Sequence, residues 1–381
     1  METEDQVILK SKTKKEYNNG EETAQQIPNN TLYFLVIFIV FIILMINIYY
    51  FSRNNNKSSK SILFNPTSIR EINDMTLFDR HILEKIKKEQ TEFCIYNQYN
   101  FIKEYEEQIT LAKVCLLSQL FDMYVYKNND RISTEILNTQ SWDGDKINNL
   151  LTPLLFYSII KKLKPQDIYV LDIGAHVGWY SLFIAKFGYN VISFEPSEIN
   201  NYILNKNLCI NKELNITIIK KSLYTEEGKC DFYASQSNIG DGWTFCEKKD
   251  NIPAHLKKTG EVTVTKLDNY VPFLTENNLG LIKIDLEGSE EKALESGFQL
   301  ISKYRVPYIF MELNPKALEA HGTNARQFLK RFLKYGYRFG RLNFFDNEFI
   351  PIDEILGRTD DGSIMNLYIV HSKMTKKYYN S

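Results

Sequence analysis

The stretch Tyr169-Val-Leu-Asp-Ile-Gly-Ala-His-Val-Gly178, followed by Ser193-Phe-Glu195-Pro196, decides the fold. Val170 to Ile173 is a short, mainly apolar run of the kind a parallel strand buried on both faces shows. It breaks at Gly174. Gly178 opens a segment of helical character from Trp179 to Phe187, and Gly188 stands where a helix C-cap is expected. Asn190 to Phe194 then reads as a second buried strand. The spacing predicts a βαβ unit whose first turn is rich in glycine and whose second strand ends in a carboxylate. Such a unit binds a ribonucleoside, because the turn lets backbone approach the ligand and the acid accepts hydrogen bonds from ribose hydroxyls.

The residues that are missing narrow the ligand. A dinucleotide fingerprint would need glycine at 176 and 179, where His176 and Trp179 stand, so pyrophosphate on this turn is disfavoured. A phosphate-cradling G-x-x-x-x-G-K-[ST] loop is also absent. The pattern Asp172-x-Gly174-x-x-x-Gly178 with Glu195 suits S-adenosylmethionine (SAM), which ends in an amino acid and leaves its ribose hydroxyls free. The expected binding residues are Gly174, Ala175 and Gly178 on the turn, Asp172 facing the methionine end, and Glu195 on the ribose. Ser222, just past a third predicted strand at 215–220, is placed on the adenine side by position. A bare tight turn in an unrelated βα unit is the plainer alternative.

Several segments in order resemble the FkbM family of SAM-dependent methyltransferases, a branch of the class I fold. They are Val170 to Gly178, Phe194-Glu-Pro196, the helix carrying Asn207 and leading to Asn211, and Thr265-Lys-Leu-Asp268. Ile282-Lys-Ile-Asp-Leu-Glu-Gly-Ser-Glu290 and Phe310-Met-Glu-Leu-Asn-Pro315 complete the set. The match runs from about Trp142 to Ser372, and Ile-Asp-Leu-Glu-Gly-Ser-Glu is its most family-specific part. His176 stands where the family often has Asn. The resemblance implies a Rossmann-like α/β domain and methyl transfer to oxygen, often a hydroxyl of a sugar or secondary metabolite.

Further strands are expected at Leu281 to Ile284 and Tyr308 to Met311. Two late ones, near Arg338 to Asn343 and Asn366 to His371, would complete a seven-stranded, mostly parallel sheet flanked by helices. Open α/β sheets bind ligands beyond the carboxyl ends of their strands. Asp172, Glu195, Asp285 and Glu312 all fall at such ends. Proton removal from an attacking hydroxyl needs a base, and Asp285, Glu287 and Glu312 are the candidates. Those three acids could also take a divalent cation through oxygen, although no metal is predicted. Glu290 reads as a helix-dipole partner. His321 is a minor candidate base, and Trp179 and Tyr180 are candidate pocket walls. Two rival readings are a binding protein that keeps the fold without catalysis and a nicotinamide-dependent oxidoreductase.

Charge is balanced, with 46 Lys and Arg against 47 Asp and Glu, so a nucleic-acid partner gains no electrostatic support. The five cysteines are odd in number and scattered, which argues against a disulfide framework and against a structural metal. Leu32 to Phe51 is almost wholly apolar, and no charge lies between Glu22 and Arg53. A run of about 20 such residues suffices to span a bilayer, and Tyr33, Tyr49 and Tyr50 lie at its ends as interfacial aromatics do. It is read as an uncleaved single-pass anchor. Arg53, Lys57 and Lys60 after it favour a cytosolic domain, but Lys12, Lys14 and Lys15 nearly cancel that bias and the side stays open. The expected organisation is a polar tail (1–30), a transmembrane helix (31–51), a linker and mostly helical stem or cap (52–135), and the methyltransferase-like domain (136–376).

Overall fold

The computed structural model describes residues 84–94, 102–247, 252–270, 278–346 and 348–374. The tail, the apolar run Leu32–Phe51 and the linker lie outside them. Among the described residues no helix is long and apolar enough to cross a membrane.

The chain reaches its βαβ unit through a β-hairpin, β1 (Ile109–Leu116) and β2 (Gln119–Tyr126), and two helices, α1 (Arg131–Thr139) and α2 (Gly144–Lys161). The hairpin corrects the mostly helical reading of this part of 52–135. Val114, Phe121, Met123 and Val125 are buried in strand alternation, and Leu117 and Ser118 take positive φ (50° and 60°) in a two-residue turn. That turn normally carries Asn or Gly, and the run Val114 to Phe121 has too little polar punctuation to show its period. The hairpin docks on the helix after the second strand through Asn207. Its Oδ1 accepts from Tyr124 N at 2.5 Å, and its Nδ2 donates to Tyr124 O at 3.0 Å. Ile109, Val114, Met123 and Ile136 share the main core, so the packed domain begins upstream of 136.

The unit itself is β3 (Tyr169–Ile173), α3 (Trp179–Lys186) and β4 (Asn190–Phe194), followed by α4 (Glu198–Ile210), capped by Ser197, and β5 (Ile216–Ile219). β6 (Ser222–Leu223), β7 (Gly228–Ser235), β8 (Gly242–Phe245) and β9 (Leu256–Thr265) come next. The last stretch contains β10 (Leu279–Ile284), α5 (Glu290–Ser296), β11 (Tyr308–Leu313), α6 (Pro315–Ala320) and α7 (Ala325–Lys334), then β12 (Tyr337–Gly340), α8 (Ile352–Gly357) and β13 (Met365–His371). The main sheet has the order β12-β13-β11-β10-β3-β4-β5. Its five strands from β11 to β5 are parallel, and β13 runs antiparallel to both its neighbours. The strand order reverses between β10 and β3, which is where such sheets open a ligand crevice.

Consecutive residues feed opposite faces. Val170 and Val191 join the core under α2, α3 and α4, whereas Leu171 and Ile192 join the core under α5, α7 and α8. Both faces are therefore apolar, the pattern of a covered parallel sheet. Gln90 of the helical segment 84–94 donates to Ile216 O at 3.2 Å and accepts from Ile218 N at 3.3 Å, closing the open edge at β5.

Two features depart from expectation. A second sheet, β6-β9-β7-β8, stands beside the main one. Two disulfides, Cys94–Cys209 and Cys230–Cys246, overturn the reading of the cysteines as unpaired; Cys115 is free and exposed. Residues 230 and 246 meet at a Cα separation of 4.4 Å because β7 pairs with β8, a register that spacing alone does not reveal.

Candidate active site

A cleft of about 990 Å³ opens at the carboxyl ends of β3, β4, β10 and β11. Gly174, Glu195, Ser222, Asp285, Glu287 and Glu312 all line it. The topology thus gathers six of the nine expected site residues into one cavity.

The glycine turn forms one wall. Gly174 takes φ +80°, and a Cβ there would lie 1.8 Å from the backbone oxygen of Asp285, so only glycine lets β3 and β10 approach this closely. Gly174 N and Ala175 N both donate to Phe194 O, at 2.9 and 3.0 Å, which folds the turn onto β4. Ala175 and Gly178 do not line the cleft. At Gly178 (φ +95°) a Cβ would strike Leu204, so this residue serves the approach of α3 to α4.

Glu195 sits at the end of β4, nearly buried. Its Oε1 accepts from Ser197 N (2.8 Å) and Asn200 Nδ2 (3.3 Å), and its Oε2 accepts from His176 N (2.7 Å). A carboxylate oxygen takes about two hydrogen bonds. Oε1 is therefore filled, and among the described residues Oε2 keeps one acceptor position for a ligand hydroxyl. Burial pushes the Glu195 carboxyl up despite these donors. His176, at φ +54°, places its Nε2 2.9 Å from Asp130 Oδ2. Burial opposes charge on this imidazole, but Asp130 outweighs it and holds the ring above its ordinary value, while the Asp130 carboxyl is held low.

Asp172 does not face the cleft, contrary to its expected place at the methionine end. It is fully buried, accepts from Ser181 Oγ at 2.5 Å, and lies 3.5 Å from Lys283 Nζ. Lys283, which sequence reasoning passed over, also lies 3.6 Å from Asp285 Oδ2 and donates to Gly174 O at 2.5 Å. Burial disfavours the ammonium, but Asp285 and Asp172 overcome this and raise its pKa. One buried cation thus ties the glycine turn to the acids of β10. Its position two residues before Asp285, on an otherwise apolar strand, was the available signal.

The adjoining wall is acidic. Asp285, Glu287 and Glu312 bring carboxylate oxygens within 4.8 Å of one another, a spacing that an oxygen-seeking cation can bridge. Glu287 takes φ +51° and is pushed well up, first by burial and then by Asp241, a further acid of the cleft that sequence reasoning did not single out. Glu312 is pushed to about 8, by the charge of Asp285 first and by burial second. Glu290 stays out of the cleft. Its Oε1 accepts from Leu286 N (3.0 Å) and Gly288 N (3.2 Å) and clamps the loop, and burial moves it to about 7.

Tyr180 lines the cleft and donates to Asp143 Oδ2 at 3.2 Å, with Trp142 and Trp243 on further walls. Trp179 instead packs on Phe183 in the core. His321 is 4% exposed and stacks on Phe245 at 4.3 Å, outside the cleft, which removes it as a base.

Residues 172–339 match the methyltransferase FkbM domain. No curated protein matches. Among solved structures, the bifunctional kinase-methyltransferase WbdD is 12% identical with a TM-score of 0.35, over 61% of this chain and 40% of its own. The plantazolicin methyltransferase BpumL, solved with S-adenosylhomocysteine, is 13% identical with a TM-score of 0.33, over 76% of this chain and 99% of its own. The T. thermophilus 16S rRNA methyltransferase RsmC, solved with AdoMet and guanosine, is 12% identical with a TM-score of 0.33, over 69% and 51%. The chain thus spans about two fifths of the length of WbdD, and likenesses this low decide neither acceptor nor cofactor. The glycine turn, the acid after β4 and the Asp285 to Glu290 loop all fall within the segment that matches the methyltransferase FkbM domain.

Proposed function

We propose that the domain transfers a methyl group from SAM to a hydroxyl oxygen of a glycan, lipid or small metabolite, in a chain tethered to a membrane through residues 31–51. The observation that carries this reading is the pairing, in one cleft, of a bare glycine turn and a ribose-competent Glu195 with a wall of carboxylates. The residues fit the donor: Gly174 lines the cleft with backbone alone, and Glu195 Oε2 retains an acceptor position. When bound, SAM supplies an electrophilic methyl carbon on a sulfonium leaving group.

The remaining work falls to the chain. Gly174 and Glu195 hold the nucleoside end, and Ser222 stands beside them. Asp285, whose Oδ2 lies 3.6 Å from Lys283 Nζ, receives the acceptor's hydroxyl proton as oxygen attacks. Glu287 and Glu312, whose raised pKa values keep protons nearby, orient that hydroxyl through hydrogen bonds. Trp142, Tyr180 and Trp243 offer flat faces that hold an acceptor in line and keep water away.

Titrating SAM into the wild type and Glu195→Gln by calorimetry tests the donor. A bond to a charged acceptor contributes about 1.5–3 kcal/mol, or roughly 10- to 100-fold in affinity. Equal affinities would remove Glu195 from the site, and no binding in the wild type would refute the reading. Labelled SAM incubated with lipid, glycan and protein fractions then identifies the acceptor. Binding without product in any fraction would leave a non-catalytic protein.

A further inference from the structure

Both disulfides act away from the chemistry and hold elements in place. Cys230–Cys246 ties β7 to the residue after β8 and so closes the connection 236–241. That connection carries Gly240 and Asp241 to the cleft, with Ile239 N donating to Asn129 O at 2.7 Å and Asn200 Nδ2 donating to Gly240 O at 2.9 Å. Cys94–Cys209 fastens segment 84–94, whose Gln90 covers the sheet edge, to α4. Neither pair lines the cleft and neither is a Cys-x-x-Cys motif, so both lack the features of catalytic or redox-sensing pairs. In cytosol, glutathione and thioredoxin keep thiols reduced, whereas structural disulfides persist in oxidising compartments.

We propose that this domain folds and works in an oxidising compartment, with both disulfides closed. Each bond forms by thiol–disulfide exchange: two cysteine thiols lose two protons and two electrons, and a donor disulfide of that compartment is reduced to two thiols. The proposal sets aside the weak charge bias after the apolar run, which favoured cytosol. It also has a consequence for supply that rests on the SAM reading above. A permanently charged sulfonium does not cross a bilayer unaided, so the donor reaches this side through a carrier, and the acceptor hydroxyl is drawn from material of that compartment.

The test uses the full chain in intact cells, lysed under denaturing conditions with excess N-ethylmaleimide, followed by mass spectrometry. One adduct, at Cys115, is expected before reduction, and five after reduction and a second alkylation, the total in the chain. Three or five adducts before reduction would overturn the proposal. A fully oxidised protein that fails to bind SAM would sink the methyl-transfer reading and leave the compartment standing.

Discussion

Lys283→Met isolates the most consequential contact that the fold creates. Methionine keeps most of the volume and removes the charge, which leaves Asp172 fully buried with Ser181 as its hydroxyl donor and Oδ1 without a hydrogen bond. Breaking a buried pair by deleting one partner costs about 3–5 kcal/mol. Ser181 still donates and Asp285 is a third exposed, so the lower half of that range applies, about 3–4 kcal/mol. A domain of this size is stable by about 5–15 kcal/mol, so the variant stays folded at 25 °C, and at roughly 2–4 °C per kcal/mol its Tm falls by about 10 °C.

The sign of the pH effect follows from Asp172. Burial already places its carboxyl above the ordinary value, and losing the lysine raises it further. A carboxyl raised in the folded state contributes stability below its unfolded pKa and loses it as pH rises. The penalty is therefore smaller at pH 5 than at pH 8. Urea unfolding followed by circular dichroism measures it, and Asp172→Asn in the Lys283→Met background should recover at least about 1 kcal/mol. A loss under about 1 kcal/mol, with strictly additive double mutants, would show that the pair does not brace the sheet.

Three further outcomes are expected. Gly174→Ala must place a Cβ 1.8 Å from Asp285 O at φ +80°; the left-handed φ alone costs about 1–2 kcal/mol, so SAM affinity should fall more than about tenfold by calorimetry. Unchanged affinity would place the ligand elsewhere. Glu312 sits near 8 rather than its usual value, so the wild type loses stability as pH rises from about 4.5 to about 8, and Glu312→Gln does not. Its Tm advantage over wild type should widen between pH 5 and pH 8, and a constant difference would contradict the cause. Asp285→Asn should lower turnover by about 100-fold or more while SAM affinity stays within about threefold; equal turnover would remove Asp285 as base.

The parts of the site that were legible in the sequence share a physical origin. Strand, turn, helix, cap and acid are local features, set by apolar runs, glycine φ and chain direction, so Gly174, Glu195, Asp285 and Glu312 could be placed at strand ends without coordinates. The hairpin at 109–126 was not legible, because its turn residues Leu117 and Ser118 carry no turn signature. Asp172 looked like a ligand because of its place in the motif, but alternation along β3 turns it into the sheet toward Lys283.

The order of elements therefore determined a methyltransferase-like α/β domain and the rim on which its acids stand. Tertiary structure decided which acids face the cleft, which cysteines pair and which lysine neutralises the interior. These outcomes depend on pairings between residues far apart in the chain: Asp172 and Lys283 in register across β3 and β10, Cys94 beside Cys209, Asn207 against β2. Local periodicity carries no information about such distant partners, because their proximity arises only when the sheet closes and its two apolar faces are covered.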